Sequence, residues 1–338
     1  MGPPRTPMPV NDTRAGLVFV FSSQGGQWPG MGRQLCADSS VAREVVGYCD
    51  HLIAERLGWS LSAEITCAPE QSRIQCDPYF VQPALTALQI AVGCSLESAG
   101  LRPNAVAGLS MGEVAGLHLA GALDLPAAMD VVCAQARLTR CRLPRGGMAI
   151  VGLASDEVQS RLPQRCERVW VAVELGPDAT VLSGELLSLN SCIEGFRRSG
   201  VRVAEVSTGY AFHSPEMQPL RDTFLGYLRG LRATLTRAPA YSSVTGNTLG
   251  DTIPNADYWW AIIANKSPFA ETLRRLIVDG YRTFVEIGPH PMLADAIASA
   301  SRAEGVDVQY TPGMQRGKED LGGFTEAVRR CCALHTTL

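Results

Sequence analysis

The chain has 338 residues, of which 46% are hydrophobic and 19% are charged, and its formal net charge is -3. This length allows one large domain with a smaller inserted one, and the composition is that of an ordinary globular protein. The charge argues against nucleic acid as a partner, because proteins that bind nucleic acid usually carry a basic excess. No apolar run suggests a membrane span, so we expect no membrane partner and a cytoplasmic protein.

Eleven cysteines are spread along the chain without a C-x-x-C pair. Metal sites and disulfide frameworks both need organised spacing, so we predict no metal site. Reduced thiols, most of them buried, are the expectation for a cytoplasmic protein.

The predicted elements begin after a Pro-rich, polar segment, residues 1–15, which we interpret as a disordered lead-in. A short apolar run at 16–21 predicts the first strand, and the Gly-rich loop 22–28 follows it. This loop lacks the Gly-Lys-Ser/Thr of a phosphate-binding loop. Helical spacing then predicts a helix over 82–99, and the run 104–108 predicts a second strand.

Two more helices are predicted at 111–120 and 125–138, and the pattern changes after residue 146. Strands are then expected at 148–153, 169–173, 180–183 and 201–206, with helices at 156–162 and 186–198. The order β-α-β-β-α-β is that of a ferredoxin-like unit, which we interpret as a small inserted subdomain over 146–207. The large subdomain would comprise 16–145 and 208–338, with further helices at 216–232 and 321–334 and strands at 239–244 and 281–287.

The hexapeptide from Gly108 to Glu113 is a Gly-x-Ser-x-Gly element between a predicted strand and a predicted helix. That context is typical of a nucleophile elbow, in which a tight turn presents the serine hydroxyl at the end of the strand. Ser110 is therefore the candidate nucleophile. An oxyanion hole needs two N–H groups, and the backbone of Met111 and that of Gln24 in the Gly-rich loop are the candidates.

A serine needs a base to take its proton, and two of the five histidines lie on loops after β-like segments. His213 follows the inserted unit, at the expected edge of the cleft. His290, in Gly-Pro-His-Pro, is of a kind more often found in turns or packing. We choose His213 as the general base, and general-base criteria alone leave the choice open.

Six motifs occur in the order seen in polyketide synthase acyltransferases: 21–32, 108–113, 146–148, 210–213, 258–259 and 286–293. The chain, from about residue 18 to 294, resembles that family and also the malonyl transferases of fatty acid synthesis. The resemblance implies an α/β fold, with an α/β-hydrolase-like large subdomain and a ferredoxin-like small one.

The resemblance also implies a ping-pong mechanism without a bound cofactor. Ser110, assisted by His213, would take an acyl group from a thioester of coenzyme A or of a carrier. It would then pass the group to the phosphopantetheine thiol of an acyl carrier protein. The family's oxyanion donors correspond to the backbones of Gln24 and Met111, and its histidine-orienting carbonyl falls near Ile262.

Several positions depart from the pattern of relatives that use malonyl or methylmalonyl groups. The arginine that pairs with the free carboxylate is replaced by Gln135, and an asparagine of the small subdomain is replaced by Leu175. Leu109 and Met111 flank the serine where a histidine is usual. The segment 210–213, which contains Tyr210 and Phe212, combines the malonyl and methylmalonyl signatures of the family. The substrate-binding residues implied by the resemblance are thus Leu109, Gln135, Leu175, Tyr210 and Phe212.

Glutamine cannot offer a carboxylate the charged, bidentate fork of arginine. We therefore expect an acyl group without a terminal carboxylate: acetyl, a starter acid, an aminoacyl group or a longer intermediate. Arg137 or Arg140 could instead swing in as a substitute. Three other functions remain open: an acyl hydrolase that clears carrier proteins, a malonyl or methylmalonyl transacylase, and a catalytically silent protein that docks carriers.

Overall fold

A computed structural model describes residues 16–141, 146–162, 167–206, 208–317 and 321–333. The predicted lead-in at 1–15 lies outside these ranges. The strands, in chain order, are β1 (Leu17–Phe21), β2 (Ala105–Gly108), β3 (Gly146–Val151), β4 (Val169–Gly176), β5 (Ala179–Glu185), β6 (Val203–Val206), β7 (Ala240–Tyr241), β8 (Thr283–Ile287) and β9 (Gln309–Thr311).

The helices of the first half are α1 (Arg33–Asp38), α2 (Ser40–Leu57), α3 (Leu61–Thr66), α4 (Pro78–Ser98), α5 (Gly112–Leu119) and α6 (Leu125–Leu138). Those of the second half are α7 (Ser155–Arg161), α8 (Leu186–Arg198), α9 (Arg221–Tyr227), α10 (Ala256–Ala264), α11 (Phe269–Val278), α12 (Ala294–Glu304) and α13 (Leu321–Ala333). Two 3₁₀ turns, Pro69–Gln71 and Pro215–Leu220, lie between them.

The larger sheet has the strand order β7-β2-β1-β8-β9, and every neighbouring pair is parallel. Strand β1 is an unbroken apolar run with all five residues buried, as expected for a parallel strand covered on both faces. Phe21 is in register with Gly108 of β2 and Ile287 of β8, so these strands end at one edge. That carboxyl edge is where parallel α/β sheets bind ligands.

The smaller sheet confirms the ferredoxin-like prediction. Its elements run β3-α7-β4-β5-α8-β6 along the chain, and the strands are ordered β4-β5-β3-β6 with antiparallel neighbours. The sheet has a core of its own, which includes Ala149, Val158, Leu182, Ile193 and Phe196. The α/β fold class is confirmed, whereas the boundaries drawn at 146 and 207 remain a prediction.

Helix α4 is the one helix in the described ranges long and apolar enough to cross a membrane, and 89% of that window is buried inside the protein. It is a core helix packed against α6. Arg140, just after α6, pairs with Asp77, just before α4, at 2.8 Å. The two helices therefore run in opposite directions, so Gln82 near the start of α4 and Gln135 near the end of α6 lie toward the same end of the helix pair.

Two expectations are corrected by the structure. The strand predicted at 239–244 shortens to β7, because the chain turns at Ser242, whose N–H donates to the carbonyl of Asn247 at 2.8 Å. Wholly reduced thiols were expected, and Cys192 of α8 is disulfide-bonded. Free cysteines in the described ranges are Cys36, Cys49, Cys67, Cys76, Cys94, Cys133 and Cys141. The cytoplasmic location remains a prediction.

Candidate active site

Ser110 lies in the sharp turn between β2 and α5, with a φ of 53°. The flanking glycines make that turn possible. A Cβ on Gly108 would lie 2.3 Å from the backbone nitrogen of Glu113, and one on Gly112 would lie 2.4 Å from the carbonyl oxygen of Phe21. The left-handed backbone conformation of Ser110 costs a residue other than glycine about 1–3 kcal/mol. The surrounding packing therefore holds the serine in a strained position.

His213 is the other non-glycine residue with a positive φ, 58°, in the described part of the chain. Its Nε2 lies 2.9 Å from Oγ of Ser110, and its Nδ1 lies 2.9 Å from the carbonyl oxygen of Asn265. Because a carbonyl oxygen only accepts, Nδ1 carries the hydrogen and Nε2 is free to accept the serine proton. The structure thus brings the two predicted residues into direct contact.

The carbonyl that orients the histidine belongs to Asn265, three residues beyond the expected Ile262. Helix α10 ends at Ala264, and Asn265 adopts an extended conformation that directs its carbonyl to the ring. The carbonyl of Ile263 binds the backbone of His213 rather than its ring: it accepts the backbone N–H at 2.7 Å. The expected position was wrong because the acceptor is set by where the helix ends, not by a side chain.

Burial lowers the pKa of His213 below its ordinary value of 6.5, against the opposing effect of the hydrogen bond to Asn265. The ring is 5% exposed, so desolvation penalises its charged form. His213 is therefore neutral at pH 7, which is the form that can accept a proton. The rejected alternative, His290, lies outside the cavity that Ser110 and His213 line.

A cavity of about 950 Å³, including its open mouth, lies between the carboxyl edge of the large sheet and the small sheet. Eight of the sequence-predicted site residues line it: Gln24, Leu109, Ser110, Met111, Gln135, Leu175, Phe212 and His213. The other lining residues are Ser23, Gln82, Met148, Ile150, Val173, Val181, Val206, Thr208, Ile262, Ile263, Met292 and Leu293.

Tyr210 is the predicted substrate-binding residue that the structure does not bring to the cavity. Its hydroxyl donates to the carbonyl of Thr139, and its ring packs against Phe212 with centroids 5.9 Å apart. The phenol is thus held against the end of α6. The segment contributes Phe212 to the cavity wall, while Tyr210 supports it from behind.

The two expected oxyanion donors, Gln24 and Met111, line the same cavity as Ser110. Met111 precedes the first turn of α5, and Gln24 lies in the loop after β1. Neither backbone N–H donates to another atom in the described part of the chain. The N-terminus of α5 adds its positive dipole end at the same place. Two free N–H groups beside a serine hydroxyl can stabilise a developing negative charge.

The cavity wall has no Asp, Glu, Lys or Arg among its described residues, and its one titratable side chain is the neutral His213. Gln135 and Gln82 are each 4% exposed. Neither amide forms a hydrogen bond within the described ranges, and Oε1 of Gln82 is buried without a partner. The wall is thus mostly apolar. Its amides and hydroxyls are polar, but it contains no cationic side chain that could pair with an anion.

Arg137 and Arg140, the possible substitutes for a missing arginine, both have other partners. Arg137 donates to the carbonyl of Arg56 at 2.5 Å and lies over the ring of Tyr227. Arg140 pairs with Asp77 and stacks over Tyr79 with 4.3 Å between the guanidinium and the ring centroid. Neither lines the cavity, so the structure does not bring either one to the acyl group.

Glu113 is a site residue to which the sequence analysis gave no role. It is 1% exposed and accepts hydrogen bonds from the backbone N–H of Ser243 at 2.9 Å, its hydroxyl at 2.7 Å and the hydroxyl of Tyr258. Burial raises its pKa to about 7. Tyr258 belongs to α10, whose end carries Asn265. Glu113 therefore connects the helix of Ser110 to the element that orients His213.

A family profile described as acyl transferase domain matches residues 18–337. The chain belongs to the acyl transferase domain family. Over 311 residues it is 35% identical to the spectinabilin polyketide synthase system protein NorA of Streptomyces orinoci, covering 91% of this chain and 16% of NorA. Over 314 residues it is 33% identical to erythronolide synthase EryA2 of Saccharopolyspora erythraea, covering 92% of this chain and 9% of EryA2.

Solved structures of the family have the same fold. The acyltransferase domain from module 8 of the salinomycin polyketide synthase has a TM-score of 0.85 and 31% identity, over 93% of this chain and 75% of that one. A loading acyltransferase of the avermectin modular polyketide synthase has a TM-score of 0.85 and 30% identity, over 93% and 99%. This acyltransferase therefore spans a small part of the curated synthases and nearly all of the loading acyltransferase.

Proposed function

We propose that this protein transfers a non-carboxylated acyl group through an acyl-serine onto an acyl carrier protein, or between carrier proteins, in polyketide biosynthesis. The observation that carries the proposal is the cavity wall around Ser110, which holds no charged side chain among its described residues. A malonyl or methylmalonyl carboxylate would be buried there without a partner. Leaving a buried charge unpaired costs about 3–5 kcal/mol.

The first half-reaction uses the contact between Ser110 and His213. Nε2 takes the proton of the serine hydroxyl while Oγ attacks the carbonyl carbon of the thioester. The backbone N–H groups of Gln24 and Met111 stabilise the oxyanion. When the C–S bond breaks, Nε2 returns the proton to the departing thiol, which leaves the acyl group on Oγ and His213 neutral again.

The second half-reaction reverses these steps with a new thiol. The phosphopantetheine thiol of a carrier gives its proton to Nε2 and attacks the acyl-serine, and Oγ of Ser110 recovers the proton as it leaves. Throughout, the Asn265 carbonyl holds the Nδ1 hydrogen, so Nε2 stays directed at the serine. Neutral His213 suits this exchange because it begins and ends each half-reaction uncharged.

The comparisons support a role in polyketide biosynthesis, whereas the choice of cargo rests on the cavity wall. The curated relatives include a polyketide synthase system protein and an erythronolide synthase, and we propose an acyl carrier protein as the acceptor. Nearly the whole of the avermectin loading acyltransferase aligns with this chain. The identity of the acyl group is the part of the proposal that the next experiment addresses, with pantetheine thioesters in place of either donor, coenzyme A or a carrier.

The test loads the protein with a panel of acyl pantetheine thioesters that includes acetyl, propionyl, butyryl, malonyl and methylmalonyl. Covalent adducts on Ser110 are followed by intact mass, and an acceptor carrier protein is then added. We expect loading by the uncharged members and transfer to the carrier. Faster loading by malonyl would overturn the specificity, and release of free acid with no acyl-carrier would instead identify a hydrolase.

A further inference from the structure

The amide of Gln82 is a polar group inside the cavity that the proposed mechanism does not use. Oε1 of Gln82 is buried without a hydrogen-bond partner, although the side chain lines the cavity. A buried acceptor without a partner costs free energy, and such groups are normally satisfied by protein, water or ligand. The unpartnered oxygen therefore points to a donor that arrives with the acyl group.

A second amide, that of Gln135, lines the same cavity. Helices α4 and α6 pack against each other in opposite directions, so Gln82 near the start of α4 and Gln135 near the end of α6 lie toward the same end of the helix pair, and both line the cavity. The side-chain amide of Gln135, like that of Gln82, has no hydrogen-bond partner within the described ranges, and the residue is buried. Each amide offers one acceptor oxygen and an NH₂ donor. Together the two amides offer hydrogen-bond donors and acceptors to a cavity whose wall is mostly apolar.

We infer that the acyl group carries a neutral hydroxyl that binds between Gln82 and Gln135. A hydroxyl both donates and accepts, so it can donate to one amide oxygen and accept from the other amide's NH₂. The match requires one amide to present its oxygen and the other its NH₂ group. The inference rests on the proposed function, since it specifies the cargo of the same site.

Charged donors fit the cavity less well than a hydroxyl. An ammonium group would need an anion, and the described wall contains neither Asp nor Glu. Most of the other side chains that line the cavity are apolar, Val173 and Val181 among them. A plain alkyl chain would fill this space but would leave both amides without partners. The hydroxyacyl group is the class that satisfies the amides and needs no counter-charge.

The experiment compares matched pairs of acyl pantetheine thioesters. Each pair has equal chain length and differs by one hydroxyl, placed at the second, third or fourth carbon. Rates of acyl-Ser110 formation are measured by intact mass for the native protein and for Gln82→Met, which keeps an unbranched side chain but removes the amide. We expect about a 10-fold preference for the hydroxylated member at one position at least, lost in Gln82→Met.

Thr86→Val is the matched control. Thr86 lies one turn after Gln82 on α4, is fully buried and also has an unpartnered oxygen, but does not line the cavity. The preference must survive this change. Equal or faster loading of the alkyl member at every position would overturn the inference, and so would a preference that persists in Gln82→Met.

A binding arm separates this inference from the proposed function. In Ser110→Ala no acyl-serine can form, so the Kd of each intact thioester is measured by calorimetry. A tighter Kd for a hydroxyacyl probe, weakened by Gln82→Met, supports the hydroxyl site even if the native protein fails to transfer acyl groups. Conversely, rapid malonyl loading would refute the non-carboxylated specificity without altering the comparison of hydroxyl with alkyl. Equal Kd values within every pair overturn the hydroxyl site.

Discussion

Gln135→Arg is expected to admit carboxylated acyl groups to the cavity. Gln135 is 4% exposed and lines a cavity whose described wall contains no cationic side chain. A hydrogen bond to a charged group contributes about 1.5–3 kcal/mol, and the full unpaired-charge penalty is about 3–5 kcal/mol. Burial of the guanidinium offsets part of this gain. The unpartnered Oε1 of Gln82 gives the new arginine a second acceptor.

We therefore expect kcat/KM for malonyl loading to rise about 10-fold to 100-fold in Gln135→Arg, a range that corresponds to about 1.4–2.8 kcal/mol. Loading of acetyl should fall or stay constant. The assay is quenched-flow intact mass of acyl-Ser110 with malonyl and acetyl pantetheine thioesters. Gln135→Met, neutral and of similar length, is the matched control and must leave malonyl loading low.

Two results would refute this reasoning. The first is a native protein that already loads malonyl as fast as acetyl, because the uncharged wall would then not exclude a carboxylate. The second is a folded Gln135→Arg variant, with its melting temperature close to that of the native protein, that shows no gain with malonyl. In that case position 135 would not contact the end of the acyl group.

Three further predictions concern the serine, the base and the turn. Ser110→Ala should abolish covalent acylation, and an adduct that persists by intact mass would disprove the assigned nucleophile. The loading rate should rise with pH through a pKa below 6.5 and then level, because burial lowers the pKa of His213 and only its neutral form accepts a proton; an inflection above 7 would contradict this. Gly112→Ala should lower the free energy of unfolding by about 3 kcal/mol or more, since its Cβ would lie 2.4 Å from the carbonyl oxygen of Phe21. Gly195→Ala, in α8 with nothing within 4 Å of the new Cβ, should raise it by about 0.5–1 kcal/mol, and denaturant unfolding of both variants measures the contrast.

The residues with chemically distinctive side chains were those that the sequence could predict. Ser110 and His213 lie in motifs whose spacing and flanking glycines serve a tight turn, and the structure brings them to 2.9 Å. The order of strands and helices along the chain predicted the small sheet, because β-α-β-β-α-β is the order of a ferredoxin-like unit. Strand β7 was overestimated because the turn at Ser242 depends on a backbone hydrogen bond to Asn247 that the sequence pattern does not reveal.

Gln82 was missed as a cavity residue, whereas Tyr210 was expected at the cavity and does not line it. Gln82 begins a long apolar helical stretch, so nothing in the sequence separates it from a core position. Its exposure to the cavity depends on how α4 packs against α6. Tyr210 was taken as substrate-binding from the resemblance alone, yet its hydroxyl donates to the Thr139 carbonyl. Membership of a motif does not reveal which face of a loop each residue presents.

The hydrogen-bond acceptor that orients His213 is a main-chain carbonyl, and this has a consequence for how the site can change. Any residue able to adopt the extended conformation of Asn265 supplies the same oxygen, so the side chain at this position is free to vary without loss of the base. An insertion or deletion at the end of α10 would instead move the oxygen away from the ring. The length of this loop, rather than its composition, is what selection has to preserve.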